Sequence, residues 1–157
     1  MAEPQVIVPI LKGEESTGGK MSALRKLYKK RMEVLLDKKI EKVAENDENI
    51  TIGFTKYGNK HLRHDVFGEK SILTRADLPK LNEYFENAQY VSSADNHDRN
   101  NPDASMEKRM ITRFHYFKAN IDGEDVYFNV ARREEPRKNR KPSVSYYLYS
   151  VVRENQG

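Results

Sequence analysis

Two histidines three residues apart, His61 and His64, lie in the basic run KHLRHDVF over residues 60–67, and a third, His115, follows Arg113 by two residues in RMITRFHYFKA. These residue types suit cleavage of RNA by its own 2′-hydroxyl. One group must take the hydroxyl proton, a second must protonate the departing 5′-oxygen, and cations must hold the extra phosphoryl charge. An imidazole with a pKa near ~6.5 serves in either proton transfer at neutral pH. A guanidinium grips phosphate through two parallel bonds. His61, His64, Arg113 and His115 are therefore the catalytic candidates, with Ser145 and Tyr147 on the last strand. Lys60, Arg63, Arg132 and Arg133 are candidate phosphate ligands.

The scheme requires no metal and no cofactor. A metal on His61 and His64 is the weaker reading, because zinc takes three or four protein ligands and His97 and His115 lie far along the chain. Each candidate also has a plainer use. His61 or His64 can bond within a turn, and His115 can lie on a solvated sheet face. Arg113 can pair with Asp65 or Glu124, and Tyr147 can pack in the sheet.

Periodicity indicates what must position these groups. Residues 22–45 predict one amphipathic helix capped by Ser22. Leu24, Tyr28, Met32, Leu35 or Leu36, Ile40 and Val43 form its apolar stripe, and Lys26, Lys29, Lys30, Lys38, Lys39 and Lys42 its basic outer face. Residues 50–56 read as a strand, Gly58–Asn59 as a turn, and residues 60–67 as a short helical segment ended by Gly68. A second helix is expected over Leu73–Asn87, with Thr74 and Asp77 in a capping-box pattern. A short strand at Tyr90–Ser93 and a polar loop over Ala94–Ser105 come next. Strands are expected over Arg109–Ala119, Val126–Arg132 and Val144–Val152. The hairpin dipeptide Asp122–Gly123 joins the first two, and a basic loop over Pro136–Pro142 precedes the third. Arg113, His115 and Phe117 share one strand face. The whole predicts an α+β domain, with N-terminal helices packed on a C-terminal antiparallel sheet of about four strands. Residues 21–157 form that single domain behind a flexible arm, residues 1–20, in which Val6–Leu11 can add an edge strand.

Composition narrows the function. The 157 residues include no Cys, which excludes disulfides, thiolate metal sites and a cysteine nucleophile. No apolar run approaches the ~20 residues that span a bilayer, so a cytoplasmic, membrane-free protein is expected. The formal charge is only +4, but it is unevenly spread. Residues 20–42 hold nine basic and three acidic side chains, and residues 131–141 hold six and two. Such regions attract phosphate when the fold joins them.

Three segments carry a resemblance: KHLRHDVFGEKSILTRADLPKLNEYFENAQYV, HYFKANIDGEDVYFNVARR and SYYLYSVV. Over roughly residues 50–152 the chain resembles the phage-associated branch of the barnase, EndoU, colicin E5/D and RelE-like nucleases, found in large polyvalent phage and mobile-element proteins. The resemblance implies a RelE/barnase-like sheet with one or two packed helices and a metal-independent ribonuclease. It puts the first histidine on His61 or His64, the middle-strand basic group on Arg113 or His115, and the last-strand polar group on Ser145, with Tyr147 next on that face. A non-enzymatic phage or mobile-element module that binds protein or nucleic acid through basic faces is the alternative; oligomeric state is open. Cleavage expects His61 or His64, Arg113 and His115 in one cleft, whereas binding lets them scatter.

Overall fold

The computed structural model describes residues 18–66 and 75–153. Val6–Leu11, Gly68 and Thr74 lie outside the described residues, as does the expected arm apart from residues 18–20. Leu24, Tyr28 and Met32 recur every fourth residue and all are buried, so helix α1 (Gly18–Met32) presents one apolar stripe to the core. The predicted long helix stops there. A 3₁₀ turn (Glu33–Asp37) leads into strand β1 (Lys39–Val43), which pairs with β2 (Asn49–Gly53). Asn46 and Asp47 adopt positive φ (56° and 60°) and reverse the chain between them, a conformation that short polar side chains tolerate. The period therefore changes from helical to alternating. Ile40 is buried while Val43 is exposed. Lys42 turns inward and donates to the carbonyls of Glu86 and Ala88, both at 2.6 Å.

Gly58 and Asn59, expected to form a turn, lie inside helix α2 (Lys56–Val66). A Cβ on Gly58 would stand 2.4 Å from the Leu148 carbonyl and 2.9 Å from the Tyr147 ring, so the glycine lets the helix press onto the sheet. The second expected helix is divided. Pro79 sits in a 3₁₀ segment (Arg75–Lys80), and only Leu81–Glu86 forms α-helix, here α3. Strand β3 (Gln89–Asp95) follows. After the polar loop comes a one-turn helix that the sequence did not suggest, α4 (Met106–Met110), where the Ser105 hydroxyl accepts from the Lys108 amide at 3.1 Å. Strands β4 (Ile111–Ile121), β5 (Glu124–Arg137) and β6 (Arg140–Val152) follow. The β4–β5 turn is the expected one, with Asp122 and Gly123 at φ 53° and 84°. The basic loop expected over Pro136–Pro142 is instead the end of a β5–β6 ribbon, closed at Lys138 and Asn139 (φ 58°). A register shift between Glu135 and Arg137 takes Pro136 out of the ladder.

The fold is α+β, with a six-stranded mixed sheet ordered β1-β2-β6-β5-β4-β3 rather than about four antiparallel strands. Among the described residues its one parallel junction, β2 with β6, is two residue pairs long: Ile52 with Tyr146 and Gly53 with Tyr147. The larger core lies between one sheet face and the helices, where Phe85 stacks on Phe128 at 5.1 Å and meets Phe117 edge-on at 5.4 Å. Each such ring contributes roughly 1.5–3 kcal/mol by leaving water. A smaller cluster of Ile111, Phe114, Tyr116, Ala131, Tyr147 and Tyr149 covers the other face. Among the described residues no helix is long and apolar enough to cross a membrane.

Candidate functional site

Arg113 and His115 share a face of β4, as their spacing requires, and both are engaged by protein groups. The Arg113 guanidinium donates from Nε to Glu45 Oε1 (3.0 Å), from Nη2 to Glu45 Oε2, and from Nη1 to Asp95 Oδ1 (2.6 Å). The Glu45 hydrogen bonds raise the guanidinium pKa, and the same bonds lower that of the Glu45 carboxyl. His115 is 2% exposed, and its Nδ1 shares a 2.6 Å hydrogen bond with Ser93 Oγ, itself 2.7 Å from the Tyr90 hydroxyl. Its Nε2 is buried with no partner among the described residues. A second proton there would meet no acceptor, and burial lowers the imidazole pKa.

His61 is on the other side of the sheet. Helix α2 leaves β2 at Lys56 and lies along β6 beyond the two-pair β2–β6 junction, with Gly58 against Leu148. That docking lays the His61 ring on Tyr149, centroids 4.2 Å apart and planes within 29°. Lys108, brought back over the sheet by α4, donates from Nζ to the Tyr149 hydroxyl at 3.0 Å. Its ammonium stands over the Tyr149 and Phe114 rings at 4.7 and 5.2 Å. These groups line a groove of ≈ 430 Å³ together with His97, Asp98, Tyr116 and Asn129. Asn129 is 5% exposed, and its Oδ1 has no partner among the described residues. Asn96 donates to the carbonyls of Lys108 and Ile111, both at 2.8 Å, and so ties the loop carrying His97 and Asp98 to α4. Asp98 is 4.0 Å from Lys108 Nζ. The groove is thus lined by two imidazoles, an ammonium, two tyrosines, the Asn129 amide and the carboxylates of Asp95 and Asp98.

The remaining candidates are scattered. Lys60 and Arg63 line a separate cleft between α1 and α2. His64 lies near the end of α2, and its side chain is outside the described residues. Arg132 donates to Thr112 Oγ1 and Glu134 Oε2, both at 2.8 Å, and Arg133 donates to Glu107 at 2.6 Å and to Glu135. Ser145 is exposed, opposite Arg133 in the β5–β6 register. Tyr147 is 1% exposed with a buried hydroxyl that has no partner among the described residues; burial pushes that phenol well up. The structure therefore brings Arg113 to His115 and Lys60 to Arg63, while the sheet separates His61 from the first pair. Alternation along β4 is the cause: Phe114 and Tyr116 face the groove, so Arg113 and His115 cannot.

Sequence reasoning did not select Lys108, His97, Asn129 or Tyr149 for the site. A signal existed for Lys108, since Ser105 before Met106–Met110 is a helix cap. From the sequence, His97 offers itself only as a distant metal ligand. Among the described residues no group of three or more His, Cys, Asp or Glu side chains is placed to hold a metal ion. A family model, large polyvalent protein-associated domain 3, matches residues 20–147. No curated protein and no solved structure matches the chain.

Proposed function

This chain belongs to the large polyvalent protein-associated domain 3 family, and within it we propose a metal-independent endoribonuclease-like domain whose reacting groups lie in the sheet groove. The observation that carries this reading is the stack of His61 on Tyr149 with Lys108 on the same hydroxyl, facing an open groove that also receives His97. One imidazole takes the 2′-hydroxyl proton as that oxygen attacks phosphorus. The bond from phosphorus to the 5′-oxygen breaks, and the other imidazole, protonated beforehand, delivers its proton to the leaving oxygen. The products are a 2′,3′-cyclic phosphate and a 5′-hydroxyl. Lys108 offsets the charge that gathers on the phosphoryl oxygens. Asn129 Oδ1 is an acceptor, so it takes a base amine or a ribose hydroxyl.

In this reading His97 and Lys108 stand in the roles expected of His115 and Arg113. The latter two join β4 to β3 and to the β1–β2 turn through Ser93, Asp95 and Glu45. A second reading, a binding module without chemistry, is favoured by two observations: His61 lies on the opposite sheet face from Arg113 and His115, the scatter that binding permits, and the Lys108 ammonium already has Tyr149 as a partner and Asp98 nearby.

The test is incubation of total RNA and tRNA with the protein in EDTA, comparing the chain with His61→Ala, His97→Ala and Lys108→Met variants of unchanged circular dichroism. Cutting that persists in EDTA, leaves cyclic phosphate ends and falls at least about 100-fold in His61→Ala supports catalysis here. Cutting that is indifferent to His61 and His97, or no cutting at all, overturns it.

A further inference from the structure

The stripe of α2 turned toward α1 takes no part in the chemistry above. Lys56, Lys60 and Arg63 recur at i, i+4 and i+7, so they lie along one side of the helix. Lys29 of α1 faces them across a cleft of ≈ 370 Å³. Among the described residues none of these four cations has a hydrogen bond or an ion pair through its side chain. Glu33 is the one carboxylate among the lining residues described. Four cations converging on one hollow repel each other, and an anion relieves that repulsion.

Asn59 narrows the identity of the anion. It lines the same cleft, is 3% exposed, and donates from Nδ2 to the Met32 carbonyl at 3.4 Å. Its Oδ1 is buried and has no partner among the described residues. A buried acceptor without a partner destabilises the fold, and a hydrogen bond from a ligand recovers that loss. A phosphodiester group has no O–H, so on its own it would bring only lone pairs against that oxygen and leave it unsatisfied. A ribose phosphate satisfies both parts, with its phosphoryl oxygens on the cations and a sugar hydroxyl donating to Asn59 Oδ1. Tyr57 connects the two hollows, since it lines the cleft and its ring is 6.2 Å from that of Tyr149 in the sheet groove.

We propose that the α1–α2 cleft is a second backbone site for single-stranded RNA, which holds the strand beside the sheet groove and distinguishes ribose from deoxyribose through Asn59. The proposal rests on the RNA reading above for the identity of the strand, and does not depend on cleavage. Arg63, whose pKa burial lowers, gains a counter-charge in the complex.

The test measures binding by fluorescence anisotropy at several salt concentrations, with a labelled single-stranded RNA and DNA of one sequence, in a His61→Ala background. Lys60→Glu with Arg63→Glu should weaken RNA binding at least about tenfold and flatten the slope of log affinity against log salt by about 1.4, or ~0.7 per lost phosphate contact. Asn59→Ala, checked for unchanged melting, should reduce the preference for RNA over DNA with a smaller loss of RNA affinity. An unchanged affinity and slope in the double charge reversal overturns the site, even if the wild-type chain cuts RNA. Equal affinity of the unaltered cleft for RNA and DNA overturns the role of Asn59. Binding that follows the expected pattern beside wild-type protein that never cuts supports the cleft and removes the nuclease reading.

Discussion

His61 and His115 stand on opposite faces of one sheet, and their surroundings differ in kind. His115 is sealed beneath Ser93, Tyr90 and the Arg113–Glu45 pair, in continuity with the helix-covered core. His61 lies on a tyrosine at the rim of an open groove. A neighbouring arginine marks the first as a phosphate site in the sequence, but that arginine already has two carboxylates. The comparison teaches that residue type identifies a chemical capacity, while the strand face decides whether a ligand can reach it.

The largest expected effect tests that contrast directly. His61→Ala should lower RNA cleavage by about 10²–10⁴-fold with its melting temperature little changed, while His115→Ala should lower the melting temperature and keep its cleavage per folded molecule. Parallel melts and cleavage rates decide it, and the reverse pattern would dissolve the distinction between the faces. Phe117→Ala, in the core next to Phe85, should cost about 3–5 kcal/mol in denaturant unfolding. A loss below about 1 kcal/mol would mean that the helix-covered face does not dominate stability. Gly58→Ala should cost about 1–3 kcal/mol, because its Cβ would meet the Leu148 carbonyl, and should impair both hollows that α2 lines. Intact cleavage and RNA binding in that variant would show that α2 need not press on β6.

The smallest effect is a pH dependence. His115 has a folded pKa below its ordinary 6.5, lowered by burial, so the folded state favours the neutral ring. Its contribution to stability is complete above 6.5 and is lost as pH falls toward the folded pKa. Glu45, lowered by its Arg113 bonds from an ordinary 4.5, contributes above that value and is lost further into acid. Melting temperatures between about pH 7.5 and 5 should fall in the unaltered chain and fall less in His115→Asn; equal slopes would show that His115 does not titrate as its burial requires.

Much of the scaffold was legible because local signals and tertiary contacts agreed. The alternation across Phe114 to Phe117 and the Asp122–Gly123 turn located the β4–β5 hairpin, and the stripe through Leu24, Tyr28 and Met32 located α1. The extension of that helix to Val43 failed because Ile40 and Val43 fit a helical stripe and a strand equally well at this spacing, and only pairing with Ile52 and Asn49 decides. In the site, the shared face of Arg113 and His115 was legible; the basic stripe of α2 was not, because Lys56 reads as the end of a strand and Gly58–Asn59 as a turn, although Lys60 and Arg63 stood out as phosphate candidates. Which sheet face α2 would address was not, since it depends on a contact between Gly58 and Leu148, far apart in sequence. Lys108 and Asn129 were hidden for the same reason: each joins the groove only after β4, β5 and β6 are aligned.

The two-pair junction of β2 with β6 also sets an order of assembly. The β1–β2 hairpin is closed by local turns, yet its place in the sheet waits for Tyr146 and Tyr147. At the ~5–20 residues per second of synthesis, the interval is roughly 5–20 s. Over that time the edge of β2 that will meet β6 has no strand beside it, and α2 has no sheet to dock on. The hollows on both sides of α2 therefore form together, with the arrival of β6, and a partly made chain holds neither.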